Sequence, residues 1–188
     1  MKIVVAITGA SGVAISKKLL RFLNSRGVET YLIISEAAKK VCRYEGIRVE
    51  ELIGLSTKSF KADEIESEIS SSSFQFDTLI VVPCSMKTLA AIAHGYSNNL
   101  ITRVADNALR LGKKLILVPR ETPLSYQAIE NMRLLKLLGA IIIMPVIAYY
   151  TKPKTIEDVT NFIVGKILDS LGMEHDLYNR WTPALEEE

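Results

Sequence analysis

Cysteine is scarce in this chain: Cys42 and Cys84 stand far apart, with no Cys-x-x-Cys spacing and no histidine-rich companion. That excludes a disulfide framework, offers no zinc-ligand pattern, and makes a reducing cytoplasm the expected compartment with no metal bound. Neither charge predominates, since 23 Lys and Arg face 21 Asp and Glu; nothing points to nucleic acid or to an acidic partner. Long apolar runs are also missing. The longest, from Ala140 to Ala148, is under half of the roughly 20 residues a membrane span needs. The first residues enter a strand pattern directly, with no charged leader or cleavage site, so no targeting segment is expected. No internal repeat or break in composition divides the 188 residues. One domain, 1–188 with a C-terminal tail, is expected, large enough to bury roughly 70% of its unfolded surface. Its positive mean hydropathy points to apolar surface used in self-association.

What is present is an alternation of short buried-strand runs with amphipathic helices, the signature of an α/β fold around a parallel sheet. Strands are expected over 2–7, 30–34, 76–82, 115–118 and 140–144. Helices are expected over 13–25, 36–44, 89–94, 99–111, 125–138 and 155–171. The region 47–73 is the least legible: short helices are expected at 49–55 and 62–69, before a serine-rich link at 70–73. Ser35, Thr155 and either Ser97 or Asn98 suit helix N-caps, and Gly27, His94 and Gly139 suit helix ends. Arg103 and Asp106 have the spacing of a surface ion pair.

In an open parallel sheet, ligands bind beyond the carboxyl ends of the strands. Polar or small-residue turns follow four of the strands here. Thr8-Gly9-Ala10-Ser11-Gly12 aims backbone N–H groups upward and suits a phosphate or a flavin edge. Ser35 ends the second strand. Pro83-Cys84-Ser85-Met86-Lys87-Thr88 is a second donor-rich strand-to-helix turn. Pro119-Arg120-Glu121-Thr122 sets a cation, a carboxylate and a hydroxyl side by side. Each has a plainer reading: small residues for close packing, a solvated ion pair, a buried Cys84, a helix-end Glu45, a surface Lys166. A lone Trp181 in a polar tail is suited to dock on a neighbour.

The Thr-Gly-Ala-Ser-Gly string also fits the opening of a short-chain dehydrogenase. A dinucleotide site usually has an acid ending the second strand, but Ser35 stands there and Glu36 begins the next helix. Tyr150 and Lys154 have the Tyr-x-x-x-Lys spacing of those enzymes. Pro153 lies between them and breaks the helix that the pair requires.

Seven segments in order resemble the UbiX family, the flavin prenyltransferases, over nearly the whole chain: TGASG at 8–12, PCSMKTLA at 83–90, HGYSNNLITRVAD at 94–106, VPRETPLS at 118–125, YxKP at 150–153, GKILDSLG at 165–172 and RW at 180–181. The resemblance implies a flavodoxin-like Rossmann fold, with a central parallel sheet and helices on both faces, assembled as a homododecamer of trimers. It implies a transferase that alkylates reduced FMN, its substrate, at N5 and C6 with dimethylallyl phosphate. The product, prenylated FMN, passes to a UbiD-type decarboxylase, without a metal. By the same resemblance Gly9, Ala10, Ser11, Ser35, Ser85, Met86, Lys87, Thr88 and Arg120 hold FMN. Glu121, Ser11 and Glu45 are the catalytic candidates, with Ser11 toward N5 and Glu121 the proton acceptor. Tyr150, Lys166 and Arg103 are the residues for the allyl phosphate, and Trp181 is the apolar wall.

That chemistry fits the residue types. Allyl transfer passes through a cation-like state, needing cations for the leaving phosphate and exclusion of water. Ring closure at C6 releases a proton and needs a base. The family commonly has arginine where Lys166 stands, so a point charge replaces a two-pronged grip. Two rival readings are an FMN-dependent cysteine decarboxylase of the same superfamily and a non-catalytic FMN-binding module. The first would need a catalytic histidine and a Pro-x-Met-Asn signature, and His94 and His175 lie outside the right turns. The second would not need Glu121, Tyr150 and Lys166 together.

Overall fold

Near-continuous runs of Ile, Val and Leu make strands that must be covered on both faces, and the computed structural model, which describes residues 1–182, builds its centre from them. The strands are β1 (Lys2–Ile7), β2 (Glu29–Ile34), β3 (Lys58–Lys61), β4 (Thr78–Cys84), β5 (Lys114–Pro119) and β6 (Ile141–Ile142). They form one sheet in the order β3-β2-β1-β4-β5-β6, parallel at every pairing. Without the edge strand β3, the order is that of a flavodoxin-like fold, with its topological switch point between β1 and β4.

Alternation along the strands divides the core in two. Ile3, Val5, Ile7, Leu32, Ile34, Ile80, Val82, Ile116 and Val118 face one layer. Val4, Ala6, Ile33, Leu79, Val81, Leu115 and Leu117 face the other. Helices α1 (Val13–Ser25), α2 (Glu36–Tyr44), α3 (Val49–Ile53) and α7 (Ile156–Leu171) cover the first face. Helices α4 (Met86–Ala93), α5 (Leu100–Arg110) and α6 (Tyr126–Leu137) cover the second. Ser35 and Thr155 cap α2 and α7 as the sequence predicts.

Several local expectations are corrected. The segment 62–69 is not a helix: β3 pairs with β2 just before it, and only a short 3-10 turn follows at Glu68–Ser70. Lys58 to Lys61 alternates too briefly, and buries too little, to signal a strand. Asn99, not Ser97 or Asn98, caps α5, in a reciprocal capping box with Thr102. Asp106 pairs with Arg110 one full turn on, at 3.0 Å, rather than with Arg103. The last strand shrinks to Ile141–Ile142, because Pro145 and its neighbours leave the sheet. Helix α4 begins three residues early, at Met86, because the Ser85 side chain caps it. The three terminal glutamates lie outside the described residues. No helix among those described is long and apolar enough to cross a membrane.

Candidate active site

The turns after β1, β4 and β5 are laced together beyond the carboxyl ends of the strands. Buried Thr8 donates its hydroxyl to the Pro83 carbonyl at 2.8 Å and accepts from the Ser85 N–H at 2.7 Å. The Arg120 N–H reaches the Cys84 carbonyl at 3.3 Å. A cavity of about 460 Å³ opens at the switch point, lined by Gly9, Ser35, Ala37, Ser85, Lys87, Thr88 and the start of α5, among others. That size suits a cofactor-sized ligand. The N-termini of α2 and α4 both meet the cavity, bringing donor groups and the positive ends of two helices to one place. Gly9 is required there for its lack of a side chain: a Cβ would lie 2.5 Å from the Ala37 Cβ. The chain thus forms a close backbone cradle between β1 and α2, and its residues fit FMN.

Ser11 and Glu45 complete one end of this region. The Glu45 carboxylate reaches from the end of α2 and accepts from Ser11 Oγ at 2.9 Å, the Gly12 N–H at 2.7 Å and the Ala14 N–H at 3.2 Å. It is no idle helix-end residue. Because it occupies these donors, the first turn of α1 is closed to a phosphate, and this end suits a neutral flavin edge instead. Ala10 is buried beneath the same turn. Met86 turns its side chain to the apolar core below α4.

Arg120 and Glu121 lie exposed in a neighbouring cleft of about 430 Å³ with Thr122, Leu124, Met144 and Val146. Glu121 Oε1 accepts from the Thr122 N–H at 3.0 Å, which fixes the carboxylate at the rim. Arg120 and Lys87 enter no ion pair among the described residues, so both charges are available to an anion. A larger hollow of about 770 Å³ lies over the ends of β2 and β3. It lacks the strand-to-helix turns that supply backbone donors at the switch point.

Tyr150 and Trp181 meet elsewhere, against Phe162 on the outside of α7, and Lys166 follows Phe162 one turn on. The rings of Tyr150 and Trp181 meet edge to face at 5.3 Å, and Phe162 stands 6.2 Å from Tyr150. Lys166 lies ten residues into α7, about 15 Å along the axis from its first residue. One turn later, the Ser170 carbonyl accepts from Lys114 at the amino end of β5. Lys166 is therefore far down the sheet from the turns at the switch point. Arg103, on α5, belongs to the opposite face of the sheet. The structure gathers Gly9, Ser35, Ser85, Lys87 and Thr88 at one cavity, leaves Arg120 in the neighbouring cleft and turns the Met86 side chain to the core; the residues expected for the allyl donor lie apart from that cavity within the chain.

Sequence reasoning missed the hub that organises the second set. Asp169 accepts from Tyr178 Oη at 2.5 Å, Arg180 at 2.9 Å, His175 Nε2 at 3.1 Å and Lys166 Nζ at 3.2 Å. Burial works to raise its pKa, yet hydrogen bonds from Tyr178, Arg180, Lys166 and His175 hold it well below the usual carboxylate range. The spacing Lys166-x-x-Asp169 gave the only signal. Thr8, which ties the turns together, was likewise hidden at the head of the glycine turn. Cys84 is fully buried and burial pushes its thiol up, which removes it as a nucleophile. His94 caps α4 and pairs with Asn131 at 2.9 Å.

The family model described as Flavoprotein matches residues 1–168. The flavin prenyltransferase UbiX of Methanocaldococcus jannaschii is 50% identical, over 96% of this chain and 98% of its own. The crystal structure of a dodecameric FMN-dependent UbiX-like decarboxylase from Escherichia coli O157:H7 superposes with a TM-score of 0.95, at 40% identity, covering 97% of this chain and 100% of that one. AnUbiX (PadA1), crystallised with FMN and dimethylallyl pyrophosphate, gives a TM-score of 0.94 at 40% identity, with 97% of both chains covered.

Proposed function

This chain belongs to the UbiX family of flavin prenyltransferases, and we propose that it joins a dimethylallyl group from dimethylallyl phosphate to N5 and C6 of reduced FMN. The observation that carries this reading is the switch-point cavity, with its Gly9 cradle and two helix N-termini, beside the Ser11–Glu45 pair and Glu121. The FMN and dimethylallyl pyrophosphate crystallised with AnUbiX support FMN and a dimethylallyl ester of phosphate as the substrate pair.

The residues divide the work. Ser35, Ser85, Lys87, Thr88 and Arg120 bind FMN and balance its phosphate, with Gly9 and Ala10 forming the floor under the ring. Ser11, fixed by Glu45, presents its hydroxyl to the N5 edge. FMN supplies the nucleophilic ring. A C–O bond of the donor breaks as its C–N bond forms, the phosphate leaving as an anion that needs cations. Lys166, Tyr150 and Arg103 provide those contacts, and Trp181 with Tyr150 offers ring faces that favour positive charge while excluding water. Closing the second bond consumes the double bond of the transferred group: its inner carbon takes up the proton that N5 gives up on alkylation, its outer carbon bonds to C6, and Glu121 accepts the proton that C6 releases.

The two residue sets lie apart in one protomer, so a complete site forms where copies of the chain meet. The dodecameric relative and exposed apolar residues on and around α6, among them Tyr126, Ile129 and Leu137, support a homododecamer. The product is suited to a UbiD-type decarboxylase as recipient. Two buried free thiols fit a reducing cytoplasm. The test is incubation of the protein with reduced FMN and dimethylallyl phosphate, followed by mass spectrometry of the flavin. A gain of one isoprene unit is expected; recovery of unmodified FMN alone would overturn the reading.

A further inference from the structure

We propose that Asp169 is a positioning residue, which locks the C-terminal strap onto α7 and so sets both the Lys166 ammonium and the Trp181 ring for the allyl donor. The strap, residues 173–182, has no regular secondary structure of its own to hold it. It is held by side chains. Gly165 leaves room on α7 for the strap to lie flat, since a Cβ there would come 2.5 Å from the Tyr178 ring and 2.8 Å from His175. One turn on, Asp169 collects three strap side chains: the Tyr178 hydroxyl, the Arg180 guanidinium and the His175 ring. The His175 side chain is buried and its Nδ1 accepts from the Leu177 N–H at 3.2 Å, so its proton is placed on Nε2, facing Asp169. Trp181 follows Arg180 directly, and its ring meets Tyr150 edge to face.

The same carboxylate governs charge. Lys166 donates to Asp169 Oδ2 at 3.2 Å and to Tyr178 Oη at 3.4 Å. An ammonium has three N–H donors, so one remains for a ligand among the described residues. Without Asp169, Lys166 and Arg180 would be two cations converging on one spot and repelling each other. With it, they share one negative charge and present a net positive surface beside the aromatic pair, which suits a phosphate anion with an apolar tail. Asp169 touches neither substrate; it acts through Lys166, Arg180 and Trp181.

Trp181 is the chain's single tryptophan, so its fluorescence reads the strap directly. The experiment compares wild type with Asp169→Asn as assembled protein, matched in size by light scattering. It measures acrylamide quenching of Trp181, the FMN Kd, and KM and kcat for dimethylallyl phosphate. Trp181 is already 69% exposed in one protomer, so the expected result is quenching stronger by up to about 1.4-fold, with a donor KM up about tenfold, the scale of one charge-assisted hydrogen bond. The FMN Kd should stay within about twofold, because the switch-point turns are untouched. Asp169→Glu should recover part of both changes. A purely structural Asp169 would lower thermal stability and leave both readouts alone. Either one staying at the wild-type value in folded Asp169→Asn overturns the proposal. If that variant does not fold, Tyr178→Phe, which removes one hydroxyl and keeps the ring over Gly165, is expected to move both in the same direction, and no change would overturn it equally. The donor part rests on the prenyltransferase reading. If wild type makes no prenylated flavin, that reading fails, while Trp181 quenching still decides whether Asp169 locks the strap.

Discussion

Ser11 and Glu45 lie 34 residues apart in sequence and share a hydrogen bond of 2.9 Å, with the Glu45 carboxylate also accepting the N–H groups of Gly12 and Ala14. One side chain therefore orients the hydroxyl proposed for the flavin edge and caps α1. Support for the fold and positioning of the site are the same three contacts.

Replacing Glu45 by Ala should show both roles. Three acceptor contacts vanish, so stability should fall by about 1–2 kcal/mol, the size of a lost helix cap, and prenylation should slow. Glu45→Gln keeps one acceptor oxygen and should retain most of the stability. Urea unfolding with the two variants side by side checks this; an Ala variant with an unchanged midpoint would remove the capping role.

Gly9→Ala should weaken FMN binding, because the new methyl would stand 2.5 Å from Ala37 Cβ and the cradle must open. Overpacking of this kind costs about 1–3 kcal/mol. Ala37→Gly in the same chain makes room and should restore most of the affinity. Flavin titration of the single and double variants gives the answer, and failure of the second change to rescue would place the clash elsewhere.

Glu121→Gln should bind FMN normally and stall the reaction. The amide keeps the shape and the contact to the Thr122 N–H but accepts no proton, a loss of about 10²–10⁴ in rate. Product formation followed by flavin mass is the measurement. A wild-type rate would take Glu121 out of the chemistry.

For Lys166→Ala, the donor KM should rise about ten- to a hundredfold, as expected when one charge-assisted hydrogen bond is lost, with FMN affinity nearly unchanged. Lys166→Arg should be tolerated, since guanidinium can reach Asp169 and still offer a fork to phosphate. Paired titrations of flavin and donor decide it: weaker FMN binding with an unmoved donor KM would assign Lys166 to the flavin instead.

Periodicity alone determined most of the scaffold. The runs at Lys2–Ile7 and 115–118 are apolar because both sheet faces are covered, and that burial leaves a local mark any reader of sequence can see. Ser35 and Thr155 were legible as caps for the same reason: a cap acts within three residues of itself. The turns that bear Gly9, Ser85 and Arg120 were visible as interruptions of those runs. The short edge strand β3 was not, for its stability comes from pairing with β2 and not from its own four residues. Only tertiary structure decided that Glu45 closes the first turn of α1, that Thr8 binds two strand ends together, and that Asp169 gathers Lys166 and the C-terminal strap. Those contacts join residues by side-chain reach across the fold, and a hydrogen bond between distant residues leaves no period in the sequence to read.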